Sequence, residues 1–372
     1  LKILPTLDKD TFKLNFTDFQ AKNYNLKALP RSHTSGTTGK PLQFYSEKVT
    51  EPKELAAIFH QWSRVGYYPG EPRVELRGTV NRRKPVNYDP MRKILRLSPL
   101  IDSKLRTKYY LDEMEKFGAK FLHGYPGAIS TFAASMKNYG FSVSIKLKAV
   151  LFASEAIYGW QRNIVKEVFN CRVFSHYGNV EKVVLAAECE QSDKYHCLPQ
   201  YGITEIDKET NEIIGTGFIN YANPFIRYRT SDIASTPLLE SCEDCGMHYA
   251  AVFKTVEGRL EDFVITPKGT LITPAVITHL FKNQKTVKDT QVVQESLNRV
   301  VLRVVPWDMA NQNLLRDELT KLCQDLREVL GTEMHVEWKA VEEIERTQSG
   351  KFKWITSDIS KDFLKKMQEE SK

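Results

Sequence analysis

The chain has 372 residues, of which 41% are hydrophobic and 27% are charged. This length is too great for one ordinary compact core, so we expect two domains, one large and one small. No stretch approaches the roughly eighteen uninterrupted apolar residues of a membrane span, and we therefore expect a cytoplasmic protein with no such span. Because the chain begins at Leu1 rather than Met, we also expect part of the N-terminal sequence to be missing.

The net charge is +7, from 53 basic and 46 acidic residues. Such a surplus fits an anionic small ligand such as a nucleotide, and it fits an ordinary solvated surface equally well. Because no nucleic-acid motif accompanies the charge, we expect no nucleic-acid partner. The oligomeric state stays open.

The first distinct feature along the chain is a run of glycine and hydroxyl residues that ends in Lys40 and is bounded by Pro41. Small residues let the backbone approach an anion, so that N–H groups and hydroxyls point at phosphate oxygens while the lysine adds charge. The run is not a Walker-type loop, because its glycines are too close together and a proline follows the lysine. We interpret it as a phosphate-binding loop, with a plain flexible turn as the alternative. Its members are Ser35, Gly36, Thr37, Thr38, Gly39 and Lys40.

The middle of the chain has the rhythm of an α/β layer. Apolar, strand-like segments at 147–153 and 171–176 flank a helical stretch at 158–169. Short β-rich pieces alternate with turn residues over 201–233. Beyond Gly258 the pattern becomes that of a small α+β unit, with strands at 263–265, 300–305 and 334–341 and a helix at 314–330. The sequence therefore predicts an α/β N-terminal domain over 1–260 and a small α+β C-terminal domain over 261–372.

Five motifs occur in a fixed order along the chain, at residues 34–41, 177–181, 227–232, 258–262 and 347–351. This ordered series resembles that of the acyl-adenylate-forming superfamily, which includes acyl-CoA synthetases, luciferases and peptide-synthetase adenylation domains. Within it, the segments 123–126 (His-Gly-Tyr-Pro) and 153–155 (Ala-Ser-Glu) resemble the phenylacetate-CoA ligase branch, which also contains CapK-like proteins. The chain departs from the family pattern at Ser231, where relatives have glycine, and at Glu261, where many have aspartate.

The resemblance implies that the large α/β domain, with β-sheets flanked by helices, binds ATP and that the small domain moves. It implies activation of a carboxylic acid as its acyl-AMP, with release of pyrophosphate. Two residues would be catalytic: Glu181 would ligate Mg²⁺, and the ammonium of Lys351 would stabilise the charge that develops on the α-phosphate. A surface salt bridge is the alternative role for Glu181, and a solvated position in a charged tail is the alternative for Lys351.

The resemblance also assigns the rest of the nucleotide site. The phosphate loop would hold the β- and γ-phosphates, and Asp232 would accept hydrogen bonds from the ribose hydroxyls with help from Arg259. Ser154, Glu155, Tyr177 and Gly178 would line the adenine, although Tyr177 is also explained as a half-buried aromatic residue at a strand end. The hinge between the domains would be Glu261 and Asp262.

The pocket for the acid would lie between Tyr125, Phe152 and His176, and these side chains favour an aromatic or medium-sized apolar acid. By resemblance, the acyl group would pass to the thiol of CoA. A CapK-like adenylyltransferase or ligase with an amine or hydroxyl acceptor is the alternative, and a scaffold that has lost catalysis is a third interpretation. The joint presence of Lys40, Glu181, Asp232 and Lys351 argues against the scaffold.

Six cysteines in a chain expected to be cytoplasmic are better explained by metal binding than by disulfides. The pair Cys242 and Cys245 has the spacing of a zinc knuckle, and the facing segment offers Cys189 and His196, so we predict one structural zinc with a Cys₃His ligand set. Cys197 is the alternative to His196. The remaining alternative is a set of reduced cysteines beside an unrelated histidine.

Overall fold

The structure is a computed structural model. It describes residues 3–33, 42–78, 81, 83–101, 103–155, 157–235, 238–247, 252–254, 256–257, 263–281, 284, 286–306, 312–345, 353–360 and 362–363. No helix in these ranges is both long and apolar enough to cross a bilayer.

Seven α-helices are described: α1 Lys9–Leu14, α2 Thr50–Ser63, α3 Lys104–Phe117, α4 Pro126–Asn138, α5 Gly159–Phe169, α6 Pro274–Ile277 and α7 Gln312–Leu330. Two 3₁₀-helices are Leu26–Ala28 and Thr278–Phe281. The strands up to residue 178 are β1 Arg31–His33, β2 Gln43–Tyr45, β3 Arg73–Leu76, β4 Val86–Asp89, β5 Ile94–Leu97, β6 Phe121–Gly124, β7 Ala149–Phe152 and β8 Arg172–Gly178.

The later strands are β9 Leu185–Glu188, β10 Tyr195–Cys197, β11 Gly202–Ile206, β12 Glu212–Gly217, β13 Tyr228–Ala234, β14 Val252–Phe253, β15 Val256–Glu257, β16 Val264–Ile265 and β17 Leu271–Ile272. The C-terminal strands are β18 Val287–Ser296, β19 Arg299–Pro306, β20 His335–Ala340 and β21 Ile355–Ser357.

A nine-stranded sheet, in the order β14-β10-β9-β8-β7-β6-β3-β5-β4, forms the centre of the N-terminal part. Its strands β5, β3, β6, β7 and β8 are parallel, and antiparallel strands extend it on both sides. Parallel strands need cover on both faces. On one face, Val74, Leu122, Val150 and Val173 join the core with α3, α4 and α5. On the other face, Phe121, Leu151 and Phe174 pack against Trp62 of α2.

Alternation along each strand therefore decides which face a side chain reaches. The close pairing of β3 with β6 depends on Gly124, since a Cβ at that position would overlap the backbone carbonyl oxygen of Leu76. This contact lies at the carboxyl ends of the two strands, which is the edge where ligands bind in open α/β sheets.

A second sheet, in the order β11-β12-β13-β15, stands beside the first. It shares a core with α1, in which Phe12 stacks on Phe225 (ring centroids 4.7 Å apart). Strand β13 carries Asp232 toward the larger sheet, as described below.

The C-terminal part is a four-stranded sheet, in the order β20-β19-β18-β21, packed against α7. The leucines on one side of α7 are buried, as expected for an amphipathic helix. This part contacts the rest of the chain, since the Thr270 hydroxyl donates to the Ile101 carbonyl (2.6 Å). The α/β fold class, with a small α+β unit following the large one, is confirmed.

Candidate functional site

Polar and aromatic residues, most of them singled out by the motifs, gather at the carboxyl ends of the parallel strands. Arg77 follows β3, Tyr125 follows β6, Glu155 follows β7, and His176 and Tyr177 close β8. Because parallel strands end at one edge of a sheet, side chains from distant parts of the chain meet there.

Tyr177 and Asp232 form the first pair of the site. The phenol of Tyr177 donates a hydrogen bond to Oδ2 of Asp232 (2.8 Å), and this bond joins β8 of the large sheet to β13 of the second sheet. Burial, with the carboxylate of Asp232 close by, holds the pKa of Tyr177 well above its usual value, so the phenol stays a donor. The preceding residue, Ser231, has φ of 65°, a left-handed conformation that glycine adopts more readily than serine.

Glu181 and Tyr228 form the second pair. The phenol of Tyr228 donates to Oε1 of Glu181 (3.0 Å). A tight turn positions the glutamate, because Asn179 accepts hydrogen bonds from the N–H groups of Lys182 (3.1 Å) and Val183 (3.0 Å). Burial raises the pKa of the half-buried Glu181 carboxyl, so a bound cation would favour its charged form.

Glu155 links three parts of the chain. Its Oε2 accepts from the N–H of Gly127 (3.1 Å), in the first turn of α4, and its Oε1 accepts from the hydroxyl of Thr273 beside α6. Its neighbour Ser154 is exposed and has φ of 73°. The assignment of both residues to the adenine stays a prediction.

Two of the three predicted acid-pocket residues meet at Arg77. The guanidinium of Arg77 lies over the ring of Tyr125 (5.7 Å to the centroid), and its charge helps to lower the pKa of His176. Phe152 instead is fully buried among the residues of the main core.

Sequence reasoning missed Arg77 and Tyr228 as site residues. The available signal for Arg77 was a basic residue directly after a short strand, β3, in which Val74 and Leu76 are apolar. Tyr228 lies within the 227–232 motif, but its pairing with Glu181 has no local signal, because the two residues are 47 positions apart.

The predicted metal ligands come together. The ligand atoms of Cys189, His196, Cys242 and Cys245 all lie within 4.8 Å of one another. The Sγ atoms of Cys242 and Cys189 are 3.9 Å apart, and Sγ of Cys245 is 3.8 Å from Nε2 of His196. A tetrahedral zinc with Zn–S bonds of about 2.3 Å requires S···S edges of about 3.8 Å, so the spacing fits the ion.

The surroundings support a preformed ligand set. Within the knuckle, the N–H of Gly246 donates to the carbonyl of Cys242 (2.8 Å), and Gly246 has φ of 72°. Nε2 of His196 faces the cysteines, while Nδ1 lies 3.0 Å from the guanidinium of Arg64. Because arginine only donates, zinc binding through Nε2 would have to displace this contact so that Nδ1 can carry the ring proton. Cys197 is fully buried next to His196 on β10 but is not one of the clustered residues, so the geometry favours His196 as the fourth ligand.

The remaining predicted site residues lie outside the described ranges. They are the phosphate loop Ser35, Gly36, Thr37, Thr38, Gly39 and Lys40, together with Arg259, Glu261, Asp262 and Lys351.

Comparison with solved structures identifies the class of fold. A structure of 2-hydroxyisobutyryl-CoA ligase with 2-HIB-AMP and CoA, in the thioesterification state, matches with a TM-score of 0.58 at 17% identity, covering 98% of this chain and 82% of that one. An open conformation of the same ligase matches with a TM-score of 0.53 at 17% identity, covering 95% and 81%. The chain therefore has the fold of this CoA ligase.

The chain is also similar to CapK in sequence. Residues 264–358 match the family model of the CapK C-terminal domain. The chain is 24% identical over 365 residues to the protein CapK of Staphylococcus aureus, covering 96% of this chain and 80% of CapK. It is 26% identical over 249 residues to an indoleacetate–lysine synthetase of Pseudomonas savastanoi, covering 62% and 59%. The resemblance inferred from the motifs is confirmed.

Proposed function

We propose that this chain is an ATP-dependent enzyme that converts a carboxylic acid into its acyl-adenylate and releases pyrophosphate. The observation that carries the proposal is the Tyr177–Asp232 hydrogen bond beside the Glu181–Tyr228 hydrogen bond, at the strand ends of a fold shared with adenylate-forming ligases. An aromatic ring, a carboxylate for a vicinal diol and a carboxylate for a metal are the groups that a nucleotide needs.

Each residue has a separate task in this proposal. The ring of Tyr177, with Gly178, Ser154 and Glu155 nearby along the strand ends, would border the adenine. Asp232 would accept hydrogen bonds from the ribose hydroxyls, and Arg259 would assist there. The loop that contains Ser35, Gly36, Thr37, Thr38, Gly39 and Lys40 would neutralise the β- and γ-phosphates.

Glu181 fits a magnesium ligand. It offers a half-buried carboxylate at a turn, and its Oε1 is held by Tyr228. When bound, Mg²⁺ would neutralise phosphate oxygens and favour departure of pyrophosphate.

The proposed domain division, 1–260 and 261–372, gives Lys351 its role. A rotation about Glu261 and Asp262 would bring the ammonium of Lys351 to the α-phosphate, where it would offset the negative charge of the transition state. The match of residues 264–358 to a C-terminal domain family supports a boundary in this region.

Two classes of acceptor are proposed for the acyl group. CoA is the first, as in the phenylacetate-CoA ligase branch that the motifs resemble. An amine or hydroxyl acceptor is the second, and it is supported by a relative whose name pairs indoleacetate with lysine, and by the relationship to CapK.

We also propose that Cys189, His196, Cys242 and Cys245 hold one structural zinc ion. The cluster joins the end of β9, β10 and the knuckle at 242–245. It contains neither Tyr177 nor Asp232. A zinc site built from reduced cysteines supports a cytoplasmic location.

The decisive experiment is a panel of carboxylic acids, assayed for pyrophosphate and AMP with CoA, with lysine, and with no acceptor. We expect acid-dependent pyrophosphate release and a rise in AMP with one class of acceptor. Asp232→Ala is the negative control. Hydrolysis of ATP that is indifferent to every acid would contradict the proposal.

A further inference from the structure

A cluster of Arg77, His123, His176, Trp62 and Tyr125 lies at the strand ends, on the α2 side of the large sheet. The guanidinium NH1 of Arg77 is 2.7 Å from Nε2 of His123, and the Arg77 guanidinium stacks over Tyr125. The indole of Trp62 packs on both imidazoles, with ring centroids 4.7 Å from His123 and 5.8 Å from His176. We call this group the Arg77 cluster.

The hydrogen bonds assign the proton of each imidazole. Nδ1 of His123 faces the carbonyl of Leu151 (3.0 Å) and must donate, so Nε2 accepts from Arg77. Nδ1 of His176 accepts from the indole N–H of Trp62 (3.3 Å), so its proton is on Nε2. Burial and the nearby guanidinium lower the pKa of both rings, that of His176 to about 4, so both are neutral near pH 7.

The Arg77 cluster therefore carries one net positive charge. The nearest acid along β3, Glu75, is paired with Arg73 (2.9 Å) and with Arg96 (3.2 Å). Within the described part of the chain, no carboxylate lies within ion-pair distance of Arg77. A partly buried cation without a counter-charge is costly unless a ligand supplies one.

Strand alternation places this charge at a distance from the nucleotide residues. His176 and Tyr177 are consecutive on β8 and point to opposite faces of the sheet: His176 toward Trp62, and Tyr177 toward Asp232. The acid to be activated would place its reacting carboxylate beside the nucleotide. The rest of the acid would then extend across the strand ends, so that its other end lies near Arg77.

We propose that Arg77 determines specificity by binding a second anionic group, such as a second carboxylate, on the acid that is activated. The proposal rests on the proposed function. A guanidinium can form two parallel hydrogen bonds to one carboxylate, and His176 of the same cluster, with its proton on Nε2, is a further donor. The proposed acid differs from the aromatic or medium-sized apolar acid expected from Tyr125, Phe152 and His176, because it is apolar in its middle and anionic at its far end.

Matched pairs of acids test the proposal: adipate against hexanoate, and 4-carboxyphenylacetate against phenylacetate. The readout is the ratio of kcat/KM for pyrophosphate release within each pair. We expect the wild type to favour the diacid by about tenfold or more, and Arg77→Met to remove that preference. Arg77→Lys should keep part of it. Arg92→Met, which removes an equal charge from a side chain that is 71% exposed, should leave the ratio unchanged.

A merely structural arginine would behave differently. If Arg77 only holds His123 and Tyr125 in place, Arg77→Met lowers kcat/KM equally for both acids of a pair. The ratio of the two kcat/KM values then stays constant, which overturns the proposal. A wild type that prefers the monoacid overturns it as well.

Calorimetric titration separates this proposal from the proposed function. Adipate that binds wild type but not Arg77→Met, with no binding of hexanoate, supports the anion site even if no acid releases pyrophosphate. Equal binding of both acids, or of neither, overturns it.

Discussion

Burial of His176 makes the stability of the fold depend on pH. The pKa of this imidazole is about 4 in the folded chain, against an ordinary 6.5 when unfolded. Above pH 6.5 both states are neutral and the stability is fully present. As the pH falls from 6.5 to 4, the unfolded chain binds a proton that the folded chain does not, so the free energy of unfolding falls, by about 2 kcal/mol for a half-buried ring.

Urea unfolding at pH 7.5 and pH 5.0 measures this loss. His176→Gln keeps an acceptor for Trp62 but cannot titrate, so it should lose less stability on acidification than wild type. His60→Gln, at an exposed position on α2, is the control and should follow wild type. Equal pH slopes for all three proteins would refute the assignment of a buried neutral imidazole.

The Tyr177–Asp232 hydrogen bond predicts a defect confined to nucleotide binding. Tyr177→Phe keeps the ring but removes the phenol that donates to the Asp232 carboxylate (2.8 Å), so the KM for ATP should rise about three- to tenfold with little change in kcat. Steady-state kinetics with varied ATP measures this effect. Tyr195→Phe, a buried tyrosine on β10 of the same sheet, should leave the KM unchanged. A selective loss of kcat in Tyr177→Phe would argue for a role in the chemical step.

At the scale of elements, local pattern was enough to predict most of the regular structure that it addressed. The helix expected at 158–169 is Gly159–Phe169, and the strand expected at 300–305 is Arg299–Pro306. Both elements can be predicted from local sequence: the helix has apolar residues at a 3.6-residue period, and the strand is a run of β-branched residues. The interpretation of residues 201–233 as short strands with turns also holds.

Contacts between elements could not be predicted from local sequence. Arg77 meets His123 across 46 residues, and Glu155 meets Thr273 across 118 residues. Such pairs depend on strand order and on which face a residue occupies. A one-residue change of register would reverse that face. The alternation of faces also explains the position of Phe152. It was predicted to line the acid pocket because it ends β7, but its side chain lies in the core, while the residues that follow β7 line the edge.

The cysteine knuckle predicts a stability effect that is tied to metal. Elemental analysis should find about one zinc per chain, and Cys242→Ser should lose it and lower the Tm by several degrees, since a bound metal would join the end of β9, β10 and residues 242–245. The rate of adenylation should change much less. Cys323→Ser on α7, outside the cluster, is the matched control and should retain the metal. Protein prepared without chelators and found free of metal would rule out the zinc.

For the whole molecule, contacts between the C-terminal unit and the large sheet bear on catalysis. Thr270 bonds to Ile101, and Thr273 bonds to Glu155 beside the proposed nucleotide residues. Apolar contacts join the same two parts, since Trp160 of α5 packs on Phe363 (ring centroids 5.7 Å apart) and Ile272 of β17 lies in the main core. The proposed movement of Lys351 would have to exchange these contacts for others, because one side chain must arrive for a single chemical step and then leave.

Lys351→Ala tests that movement directly. The lysine should act only when charge develops on the α-phosphate, so its loss should lower kcat for acid-dependent pyrophosphate release by about a hundredfold or more while ATP affinity and the Tm stay close to wild type. Lys353→Ala, two residues further along, should keep the wild-type rate. Pyrophosphate release, calorimetric titration of ATP and a thermal melt are measured on the same three proteins. Full-rate release by Lys351→Ala would show that the phosphates are neutralised by the N-terminal domain alone, and the C-terminal unit would then need no rotation for adenylation.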